Sequence, residues 1–204
     1  IFSSDNGPER TWEARIEVHG HRSSGIYRDG KRSRYEGGHR VPFLIRWPAG
    51  IKQSGRSWDK PIGQIDLLAT FAELLDVTLP ANAGEDSQSF ASVLTTPQAT
   101  YARLPLINHS PSGRFAITDG QWKLILPERG SGMELYDLTT DPGEEDNVAD
   151  QHPDQVAQMR TKATQIVING RTTPGAVQAN DTGYWAHLTW ITEPEYSAIQ
   201  NNRK

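Results

Sequence analysis

The chain has 204 residues, no cysteine and a formal net charge of -4, with 35% hydrophobic and 23% charged residues. That balance suits one globular domain or two small ones. It excludes a disulfide framework, a thiolate nucleophile and a thiolate metal site, so any chemistry here uses oxygen and nitrogen groups. No apolar run approaches the ~18 residues of a membrane helix and no stretch resembles a signal peptide. No membrane partner is expected. Residues 1–60 carry 12 Lys and Arg against 7 Asp and Glu, and residues 61–204 carry 9 against 18. The basic end favours an anionic ligand or is simply a solvated charged face. No basic helical stripe with interleaved aromatics points to nucleic acid.

In chain order, "IFSSDNGPER" reads as the end of a buried strand and the turn after it. Residues 9–40 are polar and rich in Arg, His, Gly and Ser, and read as one long loop; loops beyond ~12–15 residues in compact domains are usually functional or disordered. "VPFLIRWPAGI" predicts a short buried strand closed by Trp47-Pro48. "IGQIDLLATFAELLDV" predicts a helix with Ile65, Leu68, Phe71, Ala72 and Leu75 on one stripe and Asp66 near its positive end. Residues 80–102 are mixed polar loop, and the main boundary falls there, giving segments 1–102 and 103–204.

Beyond it, "GRFAITDGQWKLIL" predicts a hairpin around Asp119-Gly120. "MELYDL" is a third strand, and "TTDPGEEDN" a turn with an acidic run. "HPDQVAQMRTKATQIVING" predicts a helix near 153–169, with Pro153 in its first turn, Val156, Met159, Ala163 and Ile166 on one face, and Gly170 ending it. From Arg171 the chain reads as a packed extension anchored by Tyr184, Trp185 and Trp190. The expected fold class is α/β in the first segment, followed by a small antiparallel sheet with a helix.

Adjacent Asp5 and Asn6, at a strand end locked by Gly7-Pro8, present two hard oxygens of the kind that suit Ca²⁺ or Mg²⁺. The same residues are also ordinary turn chemistry. Twenty-five residues after Asn6 comes "RDGKRSRYEGGHRVPF", where Lys31 follows a glycine and Glu36-Gly37-Gly38 precedes a strand.

Taken together and in order, "IFSSDNGP", "GHRSSGIYRDGKRSRYEGGHRVPFLIRWP", "QIDLLATFAELLD", "AITDGQWKLI" and "LYDLTTDPGEEDNV" resemble the C-terminal half of a type I, formylglycine-dependent sulfatase, over roughly residues 1–170. The resemblance implies the alkaline-phosphatase-like α/β fold and sulfate ester hydrolysis. It implies calcium held in part by Asp5 and Asn6. Lys31 then grips the sulfate and stabilises oxygens that gain charge in the transition state. It also implies what is absent. The family's Cys/Ser-x-Pro-x-Arg motif, from which formylglycine is made, does not occur; "SPSGR" at 110–114 has its proline misplaced, and there is no Asp-Asp pair. The expectation is a fragment of a periplasmic or secreted enzyme acting on a sulfated sugar, inactive without the missing N-terminal half.

His21, with His19 and Arg22, is a candidate substrate contact or a solvated loop residue, and so is His109, placed at a strand end facing a loop. Glu36, Gly37 and Gly38 serve geometry. His39 and Arg40 either approach the site or pair with Glu36. Trp122, Trp185 and Trp190 read as packing anchors ahead of a sugar platform. A phosphatase or phosphonate hydrolase of the same superfamily, and a non-catalytic carbohydrate-binding or interaction module, stand as the alternatives.

Overall fold

The computed structural model describes residues 1–128 and 130–201. The N-terminal strand β1 (Phe2–Ser3) pairs antiparallel with β2 (Phe43–Leu44), Phe2 opposite Leu44 and Ser3 opposite Phe43. The strand expected across "VPFLIRWPAGI" is therefore only two residues long. It is also half open rather than buried, because Leu44 faces solvent.

The expected loop over 9–40 contains two helices, α1 (Trp12–His19) and α2 (Glu36–His39). Helix α1 was illegible because Trp12, Ala14, Ile16 and Val18 alternate, a strand-like period, and none of its residues is buried. Its end follows the rules: Gly20 caps it at φ 63° and donates to the carbonyls of Arg15 and Ile16.

The helix expected near residue 65 is present as a 3-10 turn, Gln64–Asp66, running into α3 (Leu67–Leu74). It is inverted relative to its apolar stripe. Ile65, Leu68, Phe71 and Leu75 are 48%, 48%, 45% and 73% exposed, whereas Asp66 and Thr70 are fully buried. Asp66 accepts from the Gly63 and Gln88 amides (2.8 and 3.0 Å) and from Arg103 Nε and Nη2 (3.0 and 2.8 Å). Thr70 Oγ1 accepts from the amide of Phe90. This polar face is stapled to α4 (Ala91–Thr95), a helix inside the expected loop 80–102, and to a small core of Phe90, Val93 and Tyr101.

The C-terminal segment is a four-stranded antiparallel meander: β3 (Leu106–His109), β4 (Phe115–Asp119), β5 (Trp122–Ile125) and β6 (Glu134–Asp137). Asp119 pairs with Trp122, so the hairpin loop is Gly120-Gln121, one residue later than expected, with Gly120 at φ 60°. Helix α5 (Pro153–Asn169) starts at Pro153, ends at Gly170 (φ 62°) and buries Met159 and Ala163, as its sequence predicts.

The side-chain period of two divides the sheet into two covered faces. Ile117, Leu124 and Leu135 face α5 and the tail, where Leu188, Trp190, Ile191 and Tyr196 close the largest core. The tail holds one further helix, α6 (Glu193–Asn201), too poor in apolar residues to stand out in the sequence. Trp190 is a true anchor, its Nε1 donating to Thr164 Oγ1 at 3.0 Å, while Trp185 stays 41% exposed. The opposite sheet face, Ala116, Lys123, Ile125 and Tyr136, is covered by residues 28–36 and by the turn at Glu144.

Core and stripe respond differently to truncation. Leu135→Ala removes a fully buried side chain and is expected to cost about 2–5 kcal/mol. Leu68→Ala in the same 204-residue chain is expected to stay within about 0.5 kcal/mol of the parent. Urea denaturation of both variants checks this.

Candidate active site

The turn after β1 is built by backbone contacts. The amide of Gly7 donates to the carbonyl of Gly38 at 2.9 Å, and the amide of Lys31 donates to the carbonyl of Pro8 at 2.8 Å. Residue 7 must be glycine for this approach, since a Cβ there would lie 1.8 Å from Gly37 O. The two sequence motifs that carry Asp5-Asn6 and Lys31 thus form one wall.

Asp5 is exposed and makes no hydrogen bond or ion pair to any described residue. Asn6 is half-buried and donates through Nδ2 to Gly7 O at 3.0 Å, which turns its other amide atom, the oxygen, away from that contact. Lys31 Nζ donates to Glu9 Oε2 at 2.9 Å, and Arg32 Nη1 donates to Glu9 Oε1 at 2.9 Å. Asp29 (φ 61°) and Arg32 (φ 78°) bracket Lys31 in the left-handed region, conformations that persist only where surroundings enforce them.

Glu9 is the site residue that sequence reasoning missed. Its only signal was a lone acid after Gly-Pro and upstream of a basic run, which no spacing rule singles out. Its carboxyl is held down at about 2 by the Arg10 amide first, then by Lys31 and Arg32.

Behind this wall lies a buried ionic cluster. Lys123, fully buried on β5, sits 2.9 Å from Glu36 Oε1 and 2.9 Å from Glu144 Oε1. Glu36 also pairs with His39 (3.1 Å) and Arg40 (3.3 Å), so these two side chains serve the cluster. Burial opposes ionisation of Glu36, but the His39 hydrogen bond and the Lys123 charge outweigh it and hold the carboxyl well below the usual range. Burial pushes Glu144 up despite Lys123, and pushes His39 down despite Glu36. Arg28 lies 3.7 Å over the Tyr35 ring and donates to Glu144 O at 3.0 Å, while Tyr35 and Tyr136 both donate to Glu134 Oε2 (2.7 and 2.6 Å). The acidic run at 144–146, read as part of a turn, includes a core element in Glu144.

His21 is exposed just beyond α1, its amide donating to Arg15 O, and no contact joins its side chain to Lys31. His109 is at the exposed end of β3, with Nδ1 3.1 Å from Ser110 O and its ring 5.8 Å from Phe115. The link between its hairpin and the Lys31 loop is Glu128, which pairs with Arg34 at 2.6 Å and with Arg114. Backbone hydrogen bonds therefore join the Asp5-Asn6 turn to the Lys31 loop, and among the described residues no hydrogen bond or ion pair joins either histidine side chain to Asp5, Asn6 or Lys31.

Asp5 and Asn6 offer one carboxylate and one carboxamide oxygen, the donor chemistry of a hard cation. Among the described residues no group of three or more His, Asp and Glu could hold a metal. The pair fits as two ligands of calcium and does not make a shell by itself.

Comparison with known proteins decides the family. Residues 25–169 match the C-terminal model of N-sulphoglucosamine sulphohydrolase. The chain belongs to the sulfatase family. It is 37% identical over 180 residues to an N-acetylgalactosamine-6-O-sulfatase of Bacteroides thetaiotaomicron, covering 78% of this chain and 34% of that protein. It is 30% identical over 173 residues to human arylsulfatase A, covering 72% and 32%. A Bacteroides thetaiotaomicron structure solved in work on the metabolism of multiple glycosaminoglycans superposes with a TM-score of 0.70 at 34% identity, over 81% of this chain and 38% of that one. A neocarrahexaose complex at 21% identity and a TM-score of 0.68 shares the fold. The sulfatase chain described here thus spans about a third of the length of these curated relatives, and its fold is the alkaline-phosphatase-like one of its structural neighbours.

The pairing of Glu9 with Lys31 gives a direct titration. A carboxyl depressed in the folded state supports the fold above its unfolded value near 4.5 and loses that support as pH falls through about 2. Carbon-13 NMR of Glu9 is expected to report a midpoint near 2, and Lys31→Ala to move it upward.

Proposed function

We propose that this chain supplies one wall of the active site of a sulfate ester hydrolase, with Asp5 and Asn6 as two calcium ligands and Lys31 as the sulfate grip. The observation that carries the reading is the pair of backbone hydrogen bonds, Gly7 to Gly38 and Lys31 to Pro8, that fastens the two motifs together. Calcium, when bound, supplies positive charge to sulfate oxygens. Lys31 adds a compact ammonium that gains most from oxygens as they acquire charge. Glu9 holds that ammonium until an anion competes for it. The neutral Asn6 beside Asp5 provides ligation without a second charge to repel an anionic ester.

On this reading residues 1–102 belong to the catalytic α/β part and residues 103–204 to the smaller sheet subdomain. Formylglycine, the nucleophile of the family, resides in a segment outside these 204 residues. The exposed stripe of Ile65, Leu68, Phe71 and Leu75 supports this, together with Phe2 and Leu44 on the β1–β2 ribbon. Gln64, at the head of α3, ties stripe to ribbon by donating to Ser3 Oγ at 2.8 Å and Ser4 O at 2.5 Å. An apolar surface of this extent is covered in a finished fold, and the rest of the catalytic domain is its proposed cover. Relatives named for sulfated sugars make a sulfated saccharide the proposed substrate class. His21 and His109 remain proposed substrate contacts, His109 being the one that the second segment would contribute.

The 204-residue chain alone is expected to hydrolyse no aryl sulfate. In a longer sulfatase containing these residues, Asp5→Ala is expected to lose calcium and activity together, and Lys31→Ala to keep its calcium while turnover falls by about 10²-fold or more. Calcium analysis and sulfate release measure both. Retention of calcium by Asp5→Ala with its loss by Lys31→Ala refutes the two roles, and turnover of phosphate but not sulfate esters moves the assignment to a phosphatase.

A further inference from the structure

Three of the five motifs that carry the family resemblance meet at one ammonium group. Lys123 comes from "DGQWKLI", Glu36 from "EGGHR" and Glu144 from "DPGEEDN". Lys123 Nζ lies 2.9 Å from a carboxylate oxygen of each acid and 3.4 Å from His39 Nε2, with no exposure to solvent.

Glu144 does a second thing. Its other oxygen, Oε2, accepts the backbone amide of Glu36 at 2.5 Å. That amide opens α2, where no preceding side chain caps the helix. The residue that supplies this acceptor is fully buried and held at φ 54°, a left-handed conformation that a glutamate adopts only under constraint. Two residues beyond Glu36 is Gly38, whose carbonyl receives the amide of Gly7, next to Asn6. Gly37 donates to Arg28 O at 2.8 Å, which fixes the opposite side of the same turn to the strand of chain leading into Lys31.

A buried ion pair is a weak source of stability, because apolar residues of similar volume usually serve as well. Directional geometry is what a charged centre adds. We infer that Lys123, through Glu36 and Glu144, is a positioning residue that sets the α2 turn against which the Asp5-Asn6 ligand pair and Lys31 are registered. It touches neither substrate nor metal. This inference rests on the reading of Asp5, Asn6 and Lys31 given above, and its test separates the two.

Hydrogen exchange of the Gly7 amide in the 204-residue chain reads the positioning directly. The variants are Lys123→Met and the isosteric Glu36→Gln, with Leu135→Ala as a control that weakens the core without touching the cluster. Both cluster variants are expected to speed Gly7 exchange by about tenfold or more relative to amides in the middle of α5, and Leu135→Ala to leave that ratio unchanged. In the longer sulfatase, calcium affinity is expected to fall about 10–100-fold in both cluster variants and to hold in the control.

An unchanged exchange ratio in Glu36→Gln overturns the inference. So does failure of Glu36→Gln to fold while Leu135→Ala folds, since the cluster is then a stability element. If the parent sulfatase binds no calcium and releases no sulfate while the exchange ratio rises as expected, the positioning holds and the assignment of the site is what fails.

Discussion

An ammonium group fully enclosed by protein must be answered on nearly every side, and Lys123 imposes that requirement on the whole molecule. The side chain reaches off the sheet face away from α5, so its partners have to come from a layer covering that face. Glu36 arrives from the N-terminal segment, 87 residues before Lys123, and Glu144 from the turn after β6, 21 residues after it. Removing the lysine alone would leave two carboxylates buried together, a loss of about 3–5 kcal/mol for a broken buried pair. The consequence is architectural. The sheet cannot keep a solvent face, and the polar N-terminal segment is packed as a third layer although it has almost no apolar stripe of its own.

The same layer carries the proposed catalytic wall. Its precision comes from main chain more than from side chains. Gly7, Gly37 and Gly38 let carbonyls and amides approach to distances that any Cβ would block, so the ligand turn and the lysine loop are registered by hydrogen bonds between backbone groups that have little freedom. On the proposed reading, the chemistry falls to the side chains at the rim of this layer, Asp5, Asn6 and Lys31. A backbone-registered layer with the proposed site side chains at its rim suits a hydrolase that spends binding energy on the transition state. The uneven charge of the chain fits it: the basic N-terminal portion contains the proposed anion site, and the acids of the C-terminal portion include Glu144, one of the two that hold the cluster.

Sequence patterning was reliable where one rule dominated. Helix α5 has a proline start, a glycine stop and a clean apolar face, and its bounds follow from these features. The β4–β5 hairpin follows from alternation around Asp-Gly, although register moved the loop by one residue because Asp119 completes the strand by pairing with Trp122. Helix α3 shows where patterning misleads. Its apolar stripe is real, but it faces outward in this chain, because the buried hydrogen bonds of Asp66 with Arg103 and of Thr70 with Phe90 fix the helix the other way round. Helix α1 gave a strand-like alternation and no stripe, so only its glycine cap marked it.

The sequence by itself determined the family, through motif order, and that resemblance singled out Asp5, Asn6 and Lys31 as the proposed site residues, because motif order is a local property of the chain. Tertiary structure alone decided which groups serve them. Glu9 bonds to Lys31 across 22 residues and Lys123 bonds to Glu36 across 87. Nothing local distinguishes a lysine at an alternate strand position that faces water from one that faces a buried carboxylate. That distinction depends on which segment covers the face, and coverage is a property of the assembled layers, set by long-range charge pairing and exclusion of water.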